Sequence, residues 1–128
     1  MSRGTRHVTE SCRPATEVLQ RVGDKWTVLV VMTLWKGGKR FSELRREIPA
    51  ISQRMLTLTL RGLERDGLVK RTVTPTIPPR VDYELTKLGY SLQEAIRVLG
   101  MWAVDNQSAI EAARKKYDAR GDRMQAAE

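Results

Sequence analysis

The chain has 128 residues, of which 41% are apolar and 30% charged, so it can form one modest hydrophobic core and is too apolar for a disordered protein. Its 23 lysines and arginines outnumber 15 acids and give a net charge of +8, which favours a polyanionic partner, nucleic acid before an anionic membrane. The longest internal apolar run, residues 28–32, is too short to cross a bilayer, and residues 1–13 lack the apolar segment of a secretory signal.

Residues 1–13 are polar and charged, and we predict that they form a flexible N-terminal arm. The only cysteine, Cys12, lies in this arm and cannot form an intrachain disulfide. A single thiol suits a reducing compartment, so we expect a cytoplasmic protein without a membrane partner.

Two helices are predicted next. Pro14 suits the first turn of a helix over residues 14–22. Gly23 ends this helix, and Asp24 can cap a second one over residues 25–36. The second helix is apolar on nearly every side and is expected at the centre of the core. Trp26 and Trp35 are interpreted as core anchors, with base stacking as the alternative.

Two further helices are separated by a short turn. The first is predicted over residues 42–48 and ends before Pro49. Ser52 can cap the second, over residues 52–65, which has one apolar stripe and ends at Asp66-Gly67. The stripe consists of Leu56, Leu60 and Leu63. Two helices joined in this way predict a helix-turn-helix unit.

The other side of the 52–65 helix carries side chains that can contact DNA. Arg54, Thr57 and Arg61 share a face, and Gln53 lies in the first turn. Glutamine, arginine and threonine can bind base edges and phosphates, so this face predicts a recognition helix. The alternative is the ordinary polar side of a surface helix.

A β-hairpin is predicted after the recognition helix. Residues 68–74 and 80–86 alternate in polarity, and the proline-rich tip 75–79 joins them. A hairpin in this position is a wing, and basic residues suited to DNA lie on it and in the turn before the 42–48 helix: Lys70, Arg71, Arg80, Lys39 and Arg40. For Arg80, an ion pair with Asp82 or Glu84 remains open.

A long helix is predicted over residues 87–120, capped by Thr86 and followed by a frayed tail at 121–128. Gly100 and Asn106 weaken its middle, where a kink or break could occur. Its distal apolar stripe has no partner in its own chain. We therefore expect this helix to pack on a second copy of the chain.

Together these elements predict a mostly α fold with a small β-hairpin: a winged helix-turn-helix with flanking dimerisation helices. The whole chain, 1–128, is predicted to be one domain with its core at 14–86. This order of elements resembles the winged-helix regulators of the MarR type. Several motifs narrow the resemblance to the HxlR family of bacterial transcriptional regulators: GDKW at 23–26, RFSEL at 40–44, ISQRMLT at 51–57, LRGLERDGLV at 60–69, PPRVDYELT at 78–86 and LG at 88–89.

The resemblance covers residues 14 to about 103 and implies a homodimer, formed through the N- and C-terminal helices, that binds double-stranded operator DNA. It implies that the recognition helix 52–65 enters the major groove, with the wing 69–85 on the adjacent backbone or minor groove. Ser52, Gln53, Arg54 and Thr57 lie in the family's recognition segment. Arg61 and the wing arginines are expected to contact phosphate.

Many members of this family carry a cysteine directly before the first helix and followed by proline, and in some it senses oxidants. Here Arg13 separates Cys12 from Pro14, so Cys12 is displaced by one residue. A thiol-gated sensor is therefore an alternative, and an inert surface thiol is the other interpretation of Cys12.

A small-molecule effector is a further alternative, with a pocket lined by Trp35, Tyr90 and Trp102. Packing in the core or in the dimer interface is the simpler role for these three residues.

Little in the sequence favours an enzyme, a metal site or a cofactor. The single histidine, His7, lies in the arm, and neither paired metal-ligand spacing nor a phosphate-binding glycine loop is present. Cys12 lacks a well-placed histidine base. A protein that binds nucleic acid without sequence preference remains an alternative, distinguished by equal affinity for any duplex.

Overall fold

The computed structural model describes the backbone of residues 13–127 and the side chains of residues 15–121. In this part of the chain the elements follow the order α1 (Arg13–Val22), α2 (Lys25–Leu34), β1 (Lys39–Arg40), α3 (Phe41–Glu47), α4 (Gln53–Arg65), β2 (Val69–Thr74), β3 (Arg80–Leu85) and α5 (Lys87–Ala127). The mostly helical winged helix-turn-helix is confirmed. The chain divides into two compact units, one ending at Gln93 and the other beginning at Glu94.

The core of the first unit is built around α2, as its apolar composition predicted. Val30, Val31 and Leu34 are fully buried, and they pack with the predicted apolar stripe of α4. That stripe, Leu56, Leu60 and Leu63, is also buried and keeps one face of α4 inside the core. The opposite face of α4 is consequently presented to solvent.

Three predicted helix caps are confirmed. The Asp24 carboxylate accepts a hydrogen bond from the Thr27 amide at 3.1 Å, and the Ser52 hydroxyl oxygen accepts one from the Met55 amide at 3.0 Å. Thr86 accepts a bond from the Gly89 amide at 3.0 Å. Each cap satisfies an amide that the first turn of a helix leaves without a backbone partner, so each defines where its helix begins.

The wing is the antiparallel pair β2 and β3, joined by the predicted tip. A third strand, β1, was missed. Lys39 and Arg40, predicted to lie in a turn, pair with Tyr83 and Asp82 of β3, giving the sheet order β1-β3-β2. Two residues are too few to show alternation, so only the contact with β3 reveals this strand.

Two side chains connect α1 to the C-terminal end of α4. The Arg21 guanidinium binds the carboxylate of Asp66, the residue that follows α4, at 3.0 Å. Gly62 makes room for it, because a Cβ atom there would overlap the Arg21 guanidinium. The C-terminal end of α4 is thus held by α1.

Some predicted boundaries and one burial assignment were wrong. Helix α2 ends at Leu34 rather than Lys36, and Trp35, predicted as a core anchor, is 46% exposed because it follows the last buried turn. Helix α5 shows no break at Gly100 or Asn106 and continues past Arg120 to Ala127. The Asn106 amide donates to the Trp102 carbonyl at 2.8 Å, within the helix. No helix among the described residues is long and apolar enough to cross a membrane.

Candidate nucleic-acid interface

The solvent-facing side of α4 carries four of the ten side chains that were predicted to contact DNA. Gln53, Arg54 and Arg61 are exposed, and Thr57 is partly exposed. With Leu58 they line one shallow concave surface. We call this set of five residues the α4 face. Leu58 was not singled out from the sequence, although its position between Arg54 and Arg61 on the helix was available as a signal.

Two hydroxyl groups at the start of α4 serve the helix itself. Ser52 is exposed, and its oxygen accepts the Met55 amide hydrogen bond as the N-cap. The Thr57 hydroxyl donates to the Gln53 carbonyl at 2.8 Å. Its proton is therefore committed to the helix backbone, and only its oxygen and methyl group remain for a ligand.

The wing brings further cations close to α4. Arg71 of β2 and Arg61 of α4 line one cleft together with Thr57, Glu64 and Tyr83. Lys70 is exposed and lies opposite Glu84 in the β2–β3 register. The two arginines outnumber the one carboxylate, Glu64, so the cleft has a net positive charge that suits a phosphate group.

The basic residues of this surface fall into two groups. Three of them form ion pairs: Lys39 with Glu47 at 3.2 Å, Arg40 with Glu43 at 3.6 Å, and Arg80 with Asp82 at 3.0 Å. Among the residues that the structure describes, Arg54, Arg61, Lys70 and Arg71 form no ion pair. Of these seven basic residues, the four without an ion pair therefore lie on α4 and β2.

The pKa shifts agree with this grouping. The hydrogen bond from Arg80 to Asp82 raises the pKa of the Arg80 guanidinium. The Arg40 backbone amide donates to the Glu43 carboxylate at 3.0 Å and lowers the pKa of Glu43, helped by the nearby charges of Arg40, Lys39 and Arg46. The ionised form of Glu43, in the first turn of α3, is therefore favoured, and its charge offsets that of Arg40.

The structure gives less information on the predicted redox, effector and metal sites. Cys12, the candidate redox residue, and the rest of residues 1–12 of the predicted arm lie outside the described residues, whereas Arg13, also assigned to the arm, begins α1. The three aromatic residues of the candidate effector pocket, Trp35, Tyr90 and Trp102, are each exposed. Within residues 13–127, no group of three or more His, Cys, Asp or Glu side chains could hold a metal ion.

Helix α5 exposes large apolar side chains beyond Gln93. They occur on several sides of the helix: Val98, Leu99, Met101, Trp102, Val104 and Tyr117. Helix α1 also exposes Val18 and Leu19. Exposed apolar groups at this density are typical of a surface that another protein covers.

A helix-turn-helix followed by a wing, with exposed arginines on the outer face of its second helix, defines the protein as a winged helix-turn-helix DNA-binding protein. The chain belongs to the HxlR-like helix-turn-helix family, whose model matches residues 21–111. The family predicted from the motifs is thereby confirmed.

Proteins of similar sequence or structure support this family assignment. The chain is 41% identical over 110 residues to the uncharacterized HTH-type transcriptional regulator YtfH of Escherichia coli, covering 86% of each chain. Among solved structures, the transcriptional regulator ytfH of Salmonella typhimurium matches with a TM-score of 0.72 and 38% identity, over 80% of this chain and 91% of that one. The reduced form of the redox regulator HypR matches with a TM-score of 0.71 and 40% identity, over 77% of this chain and 98% of the HypR chain. The chain is thus a DNA-binding transcriptional regulator with a MarR-like winged-helix fold, and its family and relatives are regulators rather than enzymes.

Proposed function

We propose that the protein is a homodimeric regulator that recognises a specific operator in double-stranded DNA. The N-terminal part of α4 enters the major groove, where Gln53 and Arg54 contact base edges. The wing lies on the adjacent backbone or minor groove. The observation that carries this proposal is the exposed α4 face, whose arginines form no ion pair within the described residues.

We assign each basic residue a role in DNA binding according to whether an acid offsets its charge. Arg61, Lys70 and Arg71 contact phosphates, because they are exposed and their charge is not offset by a bound acid. Ser52 orders the first turn and is close enough to the helix end to accompany it into the groove. Lys39, Arg40 and Arg80 contribute less to affinity, since each is held by a carboxylate.

Dimerisation is supported by the exposed apolar residues of α5 and α1. A second copy would cover them and would present two recognition helices to the DNA. Two-fold symmetry predicts a pseudo-palindromic operator whose half-sites are about one or two helical turns apart.

Selection of bound sites from random duplex DNA tests the proposal. We expect a pseudo-palindromic consensus bound far more tightly than random duplex and with strong dependence on salt. Equal affinity for all duplexes would replace the proposal with sequence-independent nucleic-acid binding. No binding to any duplex would refute DNA recognition by the α4 face.

The variant Arg54→Ala tests which contact α4 makes. We expect a loss of roughly 1–3 kcal/mol on the selected operator and little on random DNA, because Arg54 is assigned to a base pair. Arg65→Ala removes the same charge from the exposed C-terminal end of α4 and serves as the control. Equal losses on operator and random DNA would make Arg54 a phosphate contact instead, and no loss on either would remove it from the interface.

A thiol-gated regulator is the second candidate, favoured by the structural likeness to the redox regulator HypR and by the presence of Cys12. Operator affinity measured with and without a mild oxidant, on the wild type and Cys12→Ser, tests it. Gating predicts that oxidant changes the affinity of the wild type alone. An unchanged affinity in both proteins would exclude it.

A further inference from the structure

Leu58 is an apolar side chain in the middle of a polar surface. It is 49% exposed, although it lies in a helix whose other leucines, Leu56, Leu60 and Leu63, are buried. It follows Arg54 by four residues and precedes Arg61 by three, so all three side chains share the outer face of α4. Leu58 is not among the buried residues of the core.

The neighbours of Leu58 restrict what it can contact. Gln53, Arg54, Thr57 and Arg61 line the same concave surface, and no acid lies among them. The two arginines form no ion pair within the described residues, so this surface suits an occupant that carries negative charge. The same occupant should offer an apolar group to Leu58. Negatively charged groups that bind Arg54 and Arg61 should lie on either side of it.

Major-groove DNA satisfies both requirements. Its phosphates supply the charge, and the 5-methyl group of thymine is the apolar group that a base pair displays in the major groove. We propose that Leu58 is a specificity-determining residue that contacts a thymine methyl in each operator half-site. This inference rests on the proposed entry of α4 into the major groove and adds the base that its apolar position selects.

The methyl group provides its own probe. Replacing thymine by uracil removes only the 5-methyl group and leaves every hydrogen-bonding group of the base pair in place. Burying one such group corresponds to about a fourfold change in the dissociation constant, from about 0.8 kcal/mol per methyl or methylene group. The loss should occur at one thymine per half-site.

The experiment uses the full-length protein and the operator obtained by selection, with each thymine replaced in turn by uracil. Dissociation constants are measured for the wild type, Leu58→Ala, Leu58→Met and Val73→Ala. Alanine and methionine both favour helix, so α4 should form in both Leu58 variants, which circular dichroism checks. Val73 is an exposed apolar residue of β2, outside the α4 face, and its variant shows whether losing an apolar side chain elsewhere on the proposed DNA-binding surface changes the response to uracil.

We expect the wild type and Val73→Ala to bind about four times more weakly when the critical thymine is replaced. Leu58→Ala should bind both operators with equal affinity, and Leu58→Met should retain part of the difference. If the wild type tolerates every replacement on an operator that it recognises, Leu58 reads no methyl group and the proposed function still stands. If Leu58→Ala keeps the full difference, another residue reads the methyl. If no sequence is selected at all, the proposed function fails together with this inference.

Discussion

Gly89 occupies a position where a side chain would collide with backbone. Its amide donates to Thr86, and a Cβ atom there would overlap the Leu68 carbonyl. That carbonyl already accepts the Thr86 amide at 3.1 Å, and the Thr86 hydroxyl donates to the Gly67 carbonyl at 2.6 Å. The start of α5 can approach the turn after α4 this closely only because residue 89 is glycine.

The substitution Gly89→Ala should therefore lower the free energy of unfolding by about 1–3 kcal/mol, the usual cost of forcing extra volume into a packed site. Denaturant titration measures the change. Gly121→Ala is the control, because a Cβ atom there meets nothing within 4 Å. Equal stability of Gly89→Ala and the wild type would show that the contact relaxes without cost.

Arg71 and Arg80 lie on neighbouring strands of the wing but differ in their surroundings. Arg80 is bound to Asp82, whereas Arg71 lines the cleft shared with Arg61. We expect Arg71→Ala to weaken DNA binding more than Arg80→Ala and to reduce the slope of log affinity against log salt by about 1. Titrations at several salt concentrations measure both effects. A larger loss for Arg80→Ala would mean that DNA displaces Asp82 from Arg80.

Helix α4 is defined at both ends by contacts outside its own backbone. Ser52 caps its first turn, and Arg21 of α1 holds Asp66 after its last. The buried leucine stripe then determines which side faces solvent. A helix restrained in this way can present Gln53 and Arg54 in one orientation without first becoming ordered on DNA.

Substitutions of Ser52 can separate capping from DNA contact. Ser52→Ala should cost about 1 kcal/mol of stability because the Met55 amide loses its partner. Ser52→Asp should retain the cap, and with it the stability, but weaken DNA binding through repulsion of phosphates. Thermal unfolding and operator titration measure the two properties. Undiminished operator affinity in Ser52→Asp would indicate that the start of α4 stays away from the phosphates.

In the molecule as a whole, the largest group of exposed apolar side chains lies on α5. Leu99 and Trp102 are exposed, and so are Val98 and Met101 on other sides of the helix. Water contact with this much apolar surface is unfavourable, and a second copy would remove it. In the proposed dimer, association of the two copies would strengthen DNA recognition, since only the dimer could bind two half-sites at once.

We expect the wild type to sediment as a dimer and Leu99→Glu to shift toward monomer, because a charge would be buried at the seam. Its operator affinity should fall with the loss of the second half-site. Ser108→Glu adds the same charge at an exposed polar position of α5 and should remain dimeric. A monomeric wild type, or a dimeric Leu99→Glu variant, would contradict the proposed dimer interface through α5.

The sequence alone predicted most of the elements, the caps at Asp24, Ser52 and Thr86, and the inward and outward faces of α4. These features depend on spacings of a few residues, which the chain displays directly. The family resemblance was likewise carried by short motifs in register. Only the tertiary structure showed that β1 pairs with β3, that Trp35 is exposed, and that Asp66 holds Arg21. Burial and these pairings depend on which distant elements meet, and a local pattern carries no information about its neighbours in space.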